Sequence, residues 1–131
     1  MKVLALDYGS ARTGVAVSDP TGTLARPVGV VERAGSGAGL TRLIALVEEE
    51  QPERIVVGLP LTLRGEHGAQ ARETEEFVAA LRARVTIPVE SFDERFTTAL
   101  AARSDSATPE DARAAAHLLE SYLLWSSNSD A

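Results

Sequence analysis

The sequence contains no cysteine, which excludes disulfide bonds and metal sites built from thiolates. It also lacks an apolar run of membrane-spanning length and a charged-then-apolar leader at its N-terminus. We therefore expect a soluble, cytoplasmic protein. Its 131 residues suffice to bury a substantial core, and no repeat or linker divides them. Residues 1–131 are accordingly predicted to form a single domain.

A basic composition is missing as well. The formal net charge is −6 and the sequence pI is about 4.9, which argues against a protein that simply coats nucleic acid. This argument is weak on its own, because binding depends on where the charges lie. Lys2 is the only lysine among 13 basic residues. The others are arginines, whose planar guanidinium group matches phosphate well.

The first nine residues organise the rest of the chain. Residues 3–6 form an unbroken apolar run, which is typical of a strand buried on both faces. Asp7 follows this run directly, and a buried carboxylate without a partner is costly. Two interpretations are open at this point. Asp7 either caps a turn, or it is a metal ligand at the carboxyl end of a central strand.

Apolar periodicity divides the remaining chain into strands and helices. It predicts strands at residues 2–8, 13–18, 23–32, 54–60 and 87–92, and helices at residues 39–51, 74–84, 97–102 and from residue 108. Residues 61–69 are predicted to be a mobile surface loop. Pro27 places the third strand at a sheet edge. The order predicts an α/β fold with a mixed five-stranded sheet, in which three antiparallel strands precede two parallel ones and helices cover both faces.

Carboxylates follow both the first and the last predicted strand. Asp7 ends the first strand, and Asp93 and Glu94 end the last one. Ligands of open α/β sheets collect outside the carboxyl ends of the strands. If these two strands are parallel, the three side chains emerge at the same edge of the sheet.

Asp111 lies at the start of the last predicted helix, and two interpretations compete there. Residues 108–111 match a capping box with Asp in place of Glu. Asp111 also begins an otherwise apolar helix face, which we expect to pack on the sheet and direct Asp111 toward the strand ends. Carboxylates that converge in this way raise one another's pKa unless cations lie between them. Oxygen ligands of this kind suit Mg²⁺ or Mn²⁺.

Four segments together match the pattern of a known family. They read Asp7-x-Gly9-x-x-Arg12-x-Gly14-x-Ala16-x-Ser18-Asp19, then Val56-Val57-Gly58-Leu59-Pro60-Leu61 with Gly65 and Gly68, then Asp93-Glu94-Arg95-Phe96-Thr97-Thr98-x-x-Ala101, and finally Asp111-x-x-Ala114-Ala115. In this order they resemble the YqgF/RuvX family of bacterial RNase H-like nucleases. The resemblance implies a metal-dependent endonuclease for structured nucleic acid. Its substrate would be either a Holliday junction or the 5′ end of pre-16S rRNA.

The resemblance also implies catalytic residues. Asp7, Glu94 and Asp111 would be the catalytic carboxylates and the ligands of Mg²⁺ or Mn²⁺, with Asp93 as an alternative ligand. Two such ions can activate a water and stabilise the leaving oxygen of a phosphodiester. Asp7 would bridge them.

Three arginines are the candidates for nucleic-acid binding. Arg12, Arg64 and Arg95 fall in or beside predicted loops, where they could hold phosphates. Exposed arginines also commonly pair with carboxylates, so both roles stay open. Cleavage of a four-way junction would favour a homodimer, because two sites must act symmetrically.

Two other classes of protein share part of this pattern. Actin-like and sugar-kinase ATPases also have a strand that ends in Asp-x-Gly, but they duplicate the fold and carry a second phosphate loop, which this chain does not show. A non-catalytic RNA-binding factor for ribosome maturation could retain the same fold. Three converging carboxylates favour an enzyme over such a binder.

Overall fold

The computed structural model describes residues 1–60, 68–94 and 110–129. Within these ranges the chain forms five strands, β1 (Val3–Asp7), β2 (Arg12–Ser18), β3 (Ala25–Glu32), β4 (Arg54–Leu59) and β5 (Val89–Asp93). It also forms three helices, α1 (Gly37–Glu50), α2 (Ala69–Arg82) and α3 (Glu110–Ser129). None of these helices is both long and apolar enough to cross a membrane.

Strand β1 lies at the centre of one sheet, whose order is β3-β2-β1-β4-β5. It pairs antiparallel with β2 and parallel with β4. The outer pairs continue this pattern, since β2 and β3 are antiparallel and β4 and β5 are parallel. The predicted mixed five-stranded sheet is therefore confirmed. Strand β3 forms one edge, as Pro27 indicated, because a residue without an N–H is tolerated there.

The side chains of β1 alternate between two helical layers. Leu4 and Leu6 face α1 and α2, where they pack with the larger residues of the core, Val15, Ile55, Val57, Leu40, Leu43, Val47, Phe77, Val78 and Leu81. Val3 and Ala5 face α3, together with Ala16, Val56, Phe92, Ala115, Leu118, Leu119 and Tyr122. Asp7 lies two residues after Ala5, and its side chain therefore emerges on the α3 face.

The sheet face under α3 carries smaller residues than the opposite face. The closest approach is at Gly14, where a Cβ atom would lie 1.8 Å from the carbonyl oxygen of Asp111 and 3.1 Å from the amide nitrogen of Ala112. The first turn of α3 therefore rests directly on the backbone of β2. Gly14 pairs with Asp7 across the sheet, so this contact also fixes the distance of the helix from Asp7.

Two helices begin earlier than the sequence predicted. Helix α1 begins at Gly37 because the hydroxyl of Ser36 accepts a hydrogen bond of 3.0 Å from the amide of Gly39 and caps the helix. Helix α2 begins at Ala69, at the end of the segment that was predicted to be a loop. Ala71 is the one buried residue among the first four of this helix, and a single small apolar residue between polar ones gives too weak a periodic signal to mark the start. Residues 61–67 of the predicted loop lie outside the described residues.

The last strand also differs from its prediction. It begins at Val89 rather than at residue 87, and it continues to Asp93. The register pairs Leu59 with Asp93, which brings the ends of β4 and β5 to the same edge. The helix predicted at residues 97–102 and the cap predicted at Thr108 lie outside the described residues.

We predict that Gly14→Ala destabilises the protein, because the added methyl group meets backbone atoms of α3 and the helix must move. Overpacking of this kind costs about 1–3 kcal/mol. Gly29→Ala is the matched control in β3, since a Cβ atom there would meet nothing within 4 Å. In urea unfolding, the midpoint concentration should be lower for Gly14→Ala than for wild type, and the midpoint of Gly29→Ala should be close to that of wild type. Equal midpoints would mean that α3 does not need the close contact.

Candidate active site

Asp7 stands between two glycines at the end of the central strand. Gly14 is its partner on β2. On the other side Leu6 pairs with Val57, so that the next residue of β4, Gly58, lies beside Asp7. Because neither neighbour has a side chain, the space above Asp7 on the α3 face is open to groups from other elements.

Glu94 uses the space above one of these glycines. It directly follows β5, and a Cβ atom at Gly58 would lie 2.6 Å from its Oε1 and 3.0 Å from its Cγ. The carboxyl group of Glu94 therefore lies over β4 and reaches Asp7, with which it forms a side-chain hydrogen bond. Gly58 is thus the residue that allows Glu94 to reach Asp7.

The pKa values of Asp7 and Glu94 are both raised, and each depends on the other group. Burial, the negative charge of Asp7 and the hydrogen bond to it raise the pKa of Glu94 to about 7, and the charge of Asp93 contributes further. Burial also raises the pKa of Asp7, the hydrogen bond from Glu94 opposes this rise, and the charge of Asp111 adds to it. These directions favour the proton on Glu94, which then donates the hydrogen bond to Asp7. The pair titrates as a unit.

Asp111 lies in the first turn of α3, on the other side of Asp7. Its backbone rests on Gly14, and its charge raises the pKa of Asp7. Its carboxylate is held by Arg12, whose Nε lies 3.2 Å from Oδ2 of Asp111. A carboxylate in the first turn is also favourable for the helix dipole. Thr108, the partner in the predicted capping box, lies outside the described residues.

The structure thus brings Asp7, Glu94 and Asp111 to one edge of the sheet, with Asp93 close enough for its charge to affect Glu94. Arg12 lies at the same edge, but it contacts a carboxylate. Arg64 and Arg95 lie outside the described residues, so their role as phosphate ligands stays a prediction.

The donor set at this edge fits Mg²⁺ or Mn²⁺, which prefer carboxylate oxygens. Two of the three groups, Asp7 and Glu94, are already in contact, and the glycines beside Asp7 leave room for Glu94 and for the first turn of α3. Within residues 1–60, 68–94 and 110–129, no three Asp, Glu or His side chains are grouped so that they could hold a metal ion as they stand. Asp111, whose Oδ2 pairs with Arg12, is the third carboxylate at this end of the sheet and would complete the set.

Tyr8 anchors the backbone beside Asp7 from the opposite face of the sheet. Its ring stacks on Phe77 of α2 with a centroid distance of 4.3 Å. Its hydroxyl donates a hydrogen bond of 3.2 Å to Oε1 of Glu73, also in α2. A Cβ atom at Gly35 would lie 2.8 Å from this hydroxyl. The end of β1 is therefore held on both faces, and sequence analysis did not identify this contact.

Sequence analysis also missed the role of the two glycines beside Asp7. Both belong to the segments that resemble the nuclease family, and each interrupts an otherwise apolar strand. A glycine inside a strand often marks a place where another group approaches the backbone closely. Gly14 and Gly58 are glycines of this kind, but the sequence does not indicate which group approaches each of them.

Several known proteins are similar to this chain. A family model described as "RuvX: Holliday junction resolvase" matches residues 1–124. A protein from Syntrophomonas wolfei named "Putative pre-16S rRNA nuclease" is 39% identical over 132 aligned residues, which cover 94% of each chain. A protein of the same name from Roseiflexus is 43% identical over 102 residues, 78% of this chain and 72% of the other.

The structure can also be compared with that of Thermus thermophilus RuvC in complex with a Holliday junction substrate. The TM-score is 0.61 at 17% sequence identity, and the match covers 100% of this chain and 98% of RuvC. At this level of identity the likeness shows that the two proteins share a fold.

We predict that Gly58→Ala displaces Glu94 with little effect on the fold, because the two nearest atoms belong to the flexible side chain of Glu94 and Cδ2 of Leu118, at 3.1 Å, needs to move by only a few tenths of an ångström. The free energy of unfolding should change by less than about 1 kcal/mol. Once moved away from Asp7, Glu94 should have a pKa that falls from about 7 toward its ordinary value of 4.5. A carbon-13 NMR titration of the side-chain carboxyl groups measures this pKa. Gly29→Ala is the control, and an unchanged pKa in Gly58→Ala would contradict the prediction.

The raised pKa of Glu94 predicts a pH-dependent stability in metal-free solution. The folded pair keeps a proton up to about pH 7, whereas the unfolded Glu94 releases it near pH 4.5. The folded state thus binds more protons within this window, and the free energy of unfolding should fall as the pH rises through it. Glu94→Gln removes the titrating group and should flatten the decline. Urea unfolding in EDTA between pH 5 and 8 provides the test, and equal slopes for both proteins would refute the raised pKa of Glu94.

Proposed function

The chain belongs to the RuvX family of Holliday junction resolvases, and we propose that it is a metal-dependent endonuclease that hydrolyses phosphodiester bonds in structured nucleic acid. The observation that carries this proposal is the contact between Asp7 and Glu94 beside Asp111 at one edge of the sheet. Burial and the charges of neighbouring carboxylates raise the pKa of both Asp7 and Glu94, so the folded protein keeps this pair at an energetic cost that a bound cation would remove.

The three carboxylates are proposed to hold Mg²⁺ or Mn²⁺. The bound ions would supply an activated water and stabilise the oxygen that leaves the phosphodiester. Asp7 lies between the other two and is the ligand best placed to be shared. Glu94 is the group that must lose its proton, because a protonated carboxyl is a poor ligand for a cation. Asp93 would be the alternative ligand at the end of β5.

Arginines are proposed to position the nucleic acid through its phosphates. Arg12 lies at the edge that carries the carboxylates, and its side chain is largely exposed. Arg64 and Arg95 are proposed for the same task from the resemblance to the family. Such contacts would fix the backbone at the site without reading its sequence.

The 5′ end of pre-16S rRNA is the proposed substrate. The support for this choice is the name shared by relatives that are 39% and 43% identical to the chain. A Holliday junction is the second candidate, because the family model is described as a junction resolvase. Junction cleavage would favour a homodimer that places two sites symmetrically.

The decisive experiment assays the purified protein side by side on a four-way DNA junction and on a pre-16S rRNA 5′ fragment. We expect cleavage of the RNA with Mg²⁺ or Mn²⁺ and none in excess EDTA. Cleavage of the junction alone would establish the second candidate. Full activity in EDTA would exclude the metal-dependent mechanism. Tight binding without cleavage of either substrate would identify a non-catalytic RNA-binding factor.

The same assay should show that the cleavage rate depends on Asp111 and not on the adjacent Glu110. Asp111→Asn keeps a side-chain oxygen at the helix start, and its free energy of unfolding should stay within about 1 kcal/mol of wild type. The cleavage rate should nevertheless fall by more than the roughly 10- to 100-fold that loss of an outer-shell partner of a metal costs. Glu110→Gln removes an adjacent charge from the same helical turn and serves as the control. Near wild-type turnover of Asp111→Asn would restrict Asp111 to a structural role.

A further inference from the structure

The ion pair of Arg12 with Asp111 occupies two groups that the proposed reaction needs for different partners. Nε of Arg12 lies 3.2 Å from Oδ2 of Asp111, and the two side chains are 65% and 36% exposed. The proposed function requires Asp111 to bind a cation and Arg12 to bind a phosphate. Arg12 therefore competes with the cation for Asp111, and Asp111 competes with the phosphate for Arg12.

The backbone beneath this ion pair is closely held. A Cβ atom at Gly9 would lie 2.5 Å from the carbonyl oxygen of Arg12, so the turn before β2 is tight. The carbonyl of Ala11 accepts a hydrogen bond of 3.0 Å from the amide of Arg33. Asp111 rests on Gly14. A change of partner is therefore confined to the two side chains, and the long arginine side chain can take other rotamers in solvent.

We infer that Arg12 is a positioning residue that holds Asp111 away from Asp7 and Glu94 until a phosphate of the substrate binds Arg12. This inference rests on the proposed function, which assigns the two partners. A phosphate that pairs with Arg12 releases Asp111 toward the Asp7–Glu94 pair. A cation bound at Asp111 releases Arg12 toward the nucleic acid.

The two binding events are thereby coupled through one ion pair. Each ligand must improve the affinity of the other by the same factor, because the coupling free energy is reciprocal. The strength of exposed ion pairs limits this factor to about two- to fivefold. The site would then favour binding of the cations together with nucleic acid over binding of either one alone.

The first arm of the test measures Mn²⁺ binding to the metal-free protein by titration calorimetry. Arg12→Gln should bind Mn²⁺ about two- to fivefold more tightly than wild type, since Asp111 no longer has a competing partner. Arg26→Gln is the matched control. Arg26 is 64% exposed and pairs with Glu50 at 3.5 Å in the same manner, but it lies toward the opposite end of the sheet. Its loss should leave the Mn²⁺ affinity unchanged.

A double-mutant cycle separates this effect from simple removal of a positive charge. In an Asp111→Asn background, Arg12→Gln should no longer tighten Mn²⁺ binding, because the ion pair is already absent. If Arg12→Gln raises the Mn²⁺ affinity by the same factor in wild type and in Asp111→Asn, Arg12 acts only through its charge at a distance. That result would overturn the inference.

The second arm measures nucleic-acid binding in EDTA, where no metal contributes. Asp111→Asn frees Arg12 and should bind a four-way DNA junction or an RNA hairpin about two- to fivefold more tightly than wild type. This gain should disappear when Arg12→Gln is added. A gain that persists without Arg12 would reflect general repulsion by Asp111 and would also overturn the inference.

The two arms distinguish this inference from the proposed function. Wild-type protein that binds neither Mn²⁺ nor nucleic acid would overturn both. Wild-type protein that binds both ligands, with no coupling in either cycle, would overturn only the role of Arg12. Thermal denaturation of every variant should give midpoints close to wild type, since exposed ion pairs contribute little to stability.

Discussion

The close contact of α3 with the backbone of β2 is the constraint on which the rest of the site depends. A helix normally packs on a sheet through a layer of side chains, but at Gly14 the backbone of Asp111 occupies the place of a Cβ atom. This brings a helix-borne carboxylate down to the level of Asp7. On the other side of Asp7, Gly58 leaves the same kind of space for Glu94. Two glycines therefore determine how close three negative charges can come.

The repulsion between carboxyl groups this close must be offset, and two interactions at the site reduce it. The raised pKa of Glu94 favours a protonated carboxyl group beside Asp7, and the guanidinium group of Arg12 lies beside Asp111. Both interactions are replaceable, since the pKa of Glu94 lies at about 7 and the ion pair is largely exposed. Under the proposed function, cations would replace this proton and this arginine without a change of fold. This is the arrangement that a metal-dependent nuclease would need.

The sequence predicted the architecture because its signals are local. The apolar run before Asp7 indicated the central strand, and Pro27 indicated the edge strand. The convergence of Asp7, Glu94 and Asp111 was predictable because the topology brings strand ends together. The role of Gly14 and Gly58 was not predicted, since a missing side chain does not name the group that takes its place. The partner of Arg12 was left open, because an exposed arginine suits a phosphate and a carboxylate equally well.

Pro27 has a consequence for how copies of this protein can associate. Strand β3 ends the sheet, and a ladder of backbone hydrogen bonds to a further strand would need the N–H that Pro27 does not have. The register shift at Val15 and Ala16 also makes the neighbouring part of this edge irregular. Edges of this kind resist the addition of strands from other molecules, and so they protect the sheet from aggregation. An assembly of two chains at this edge would have to rely on side-chain packing, with each sheet complete in itself.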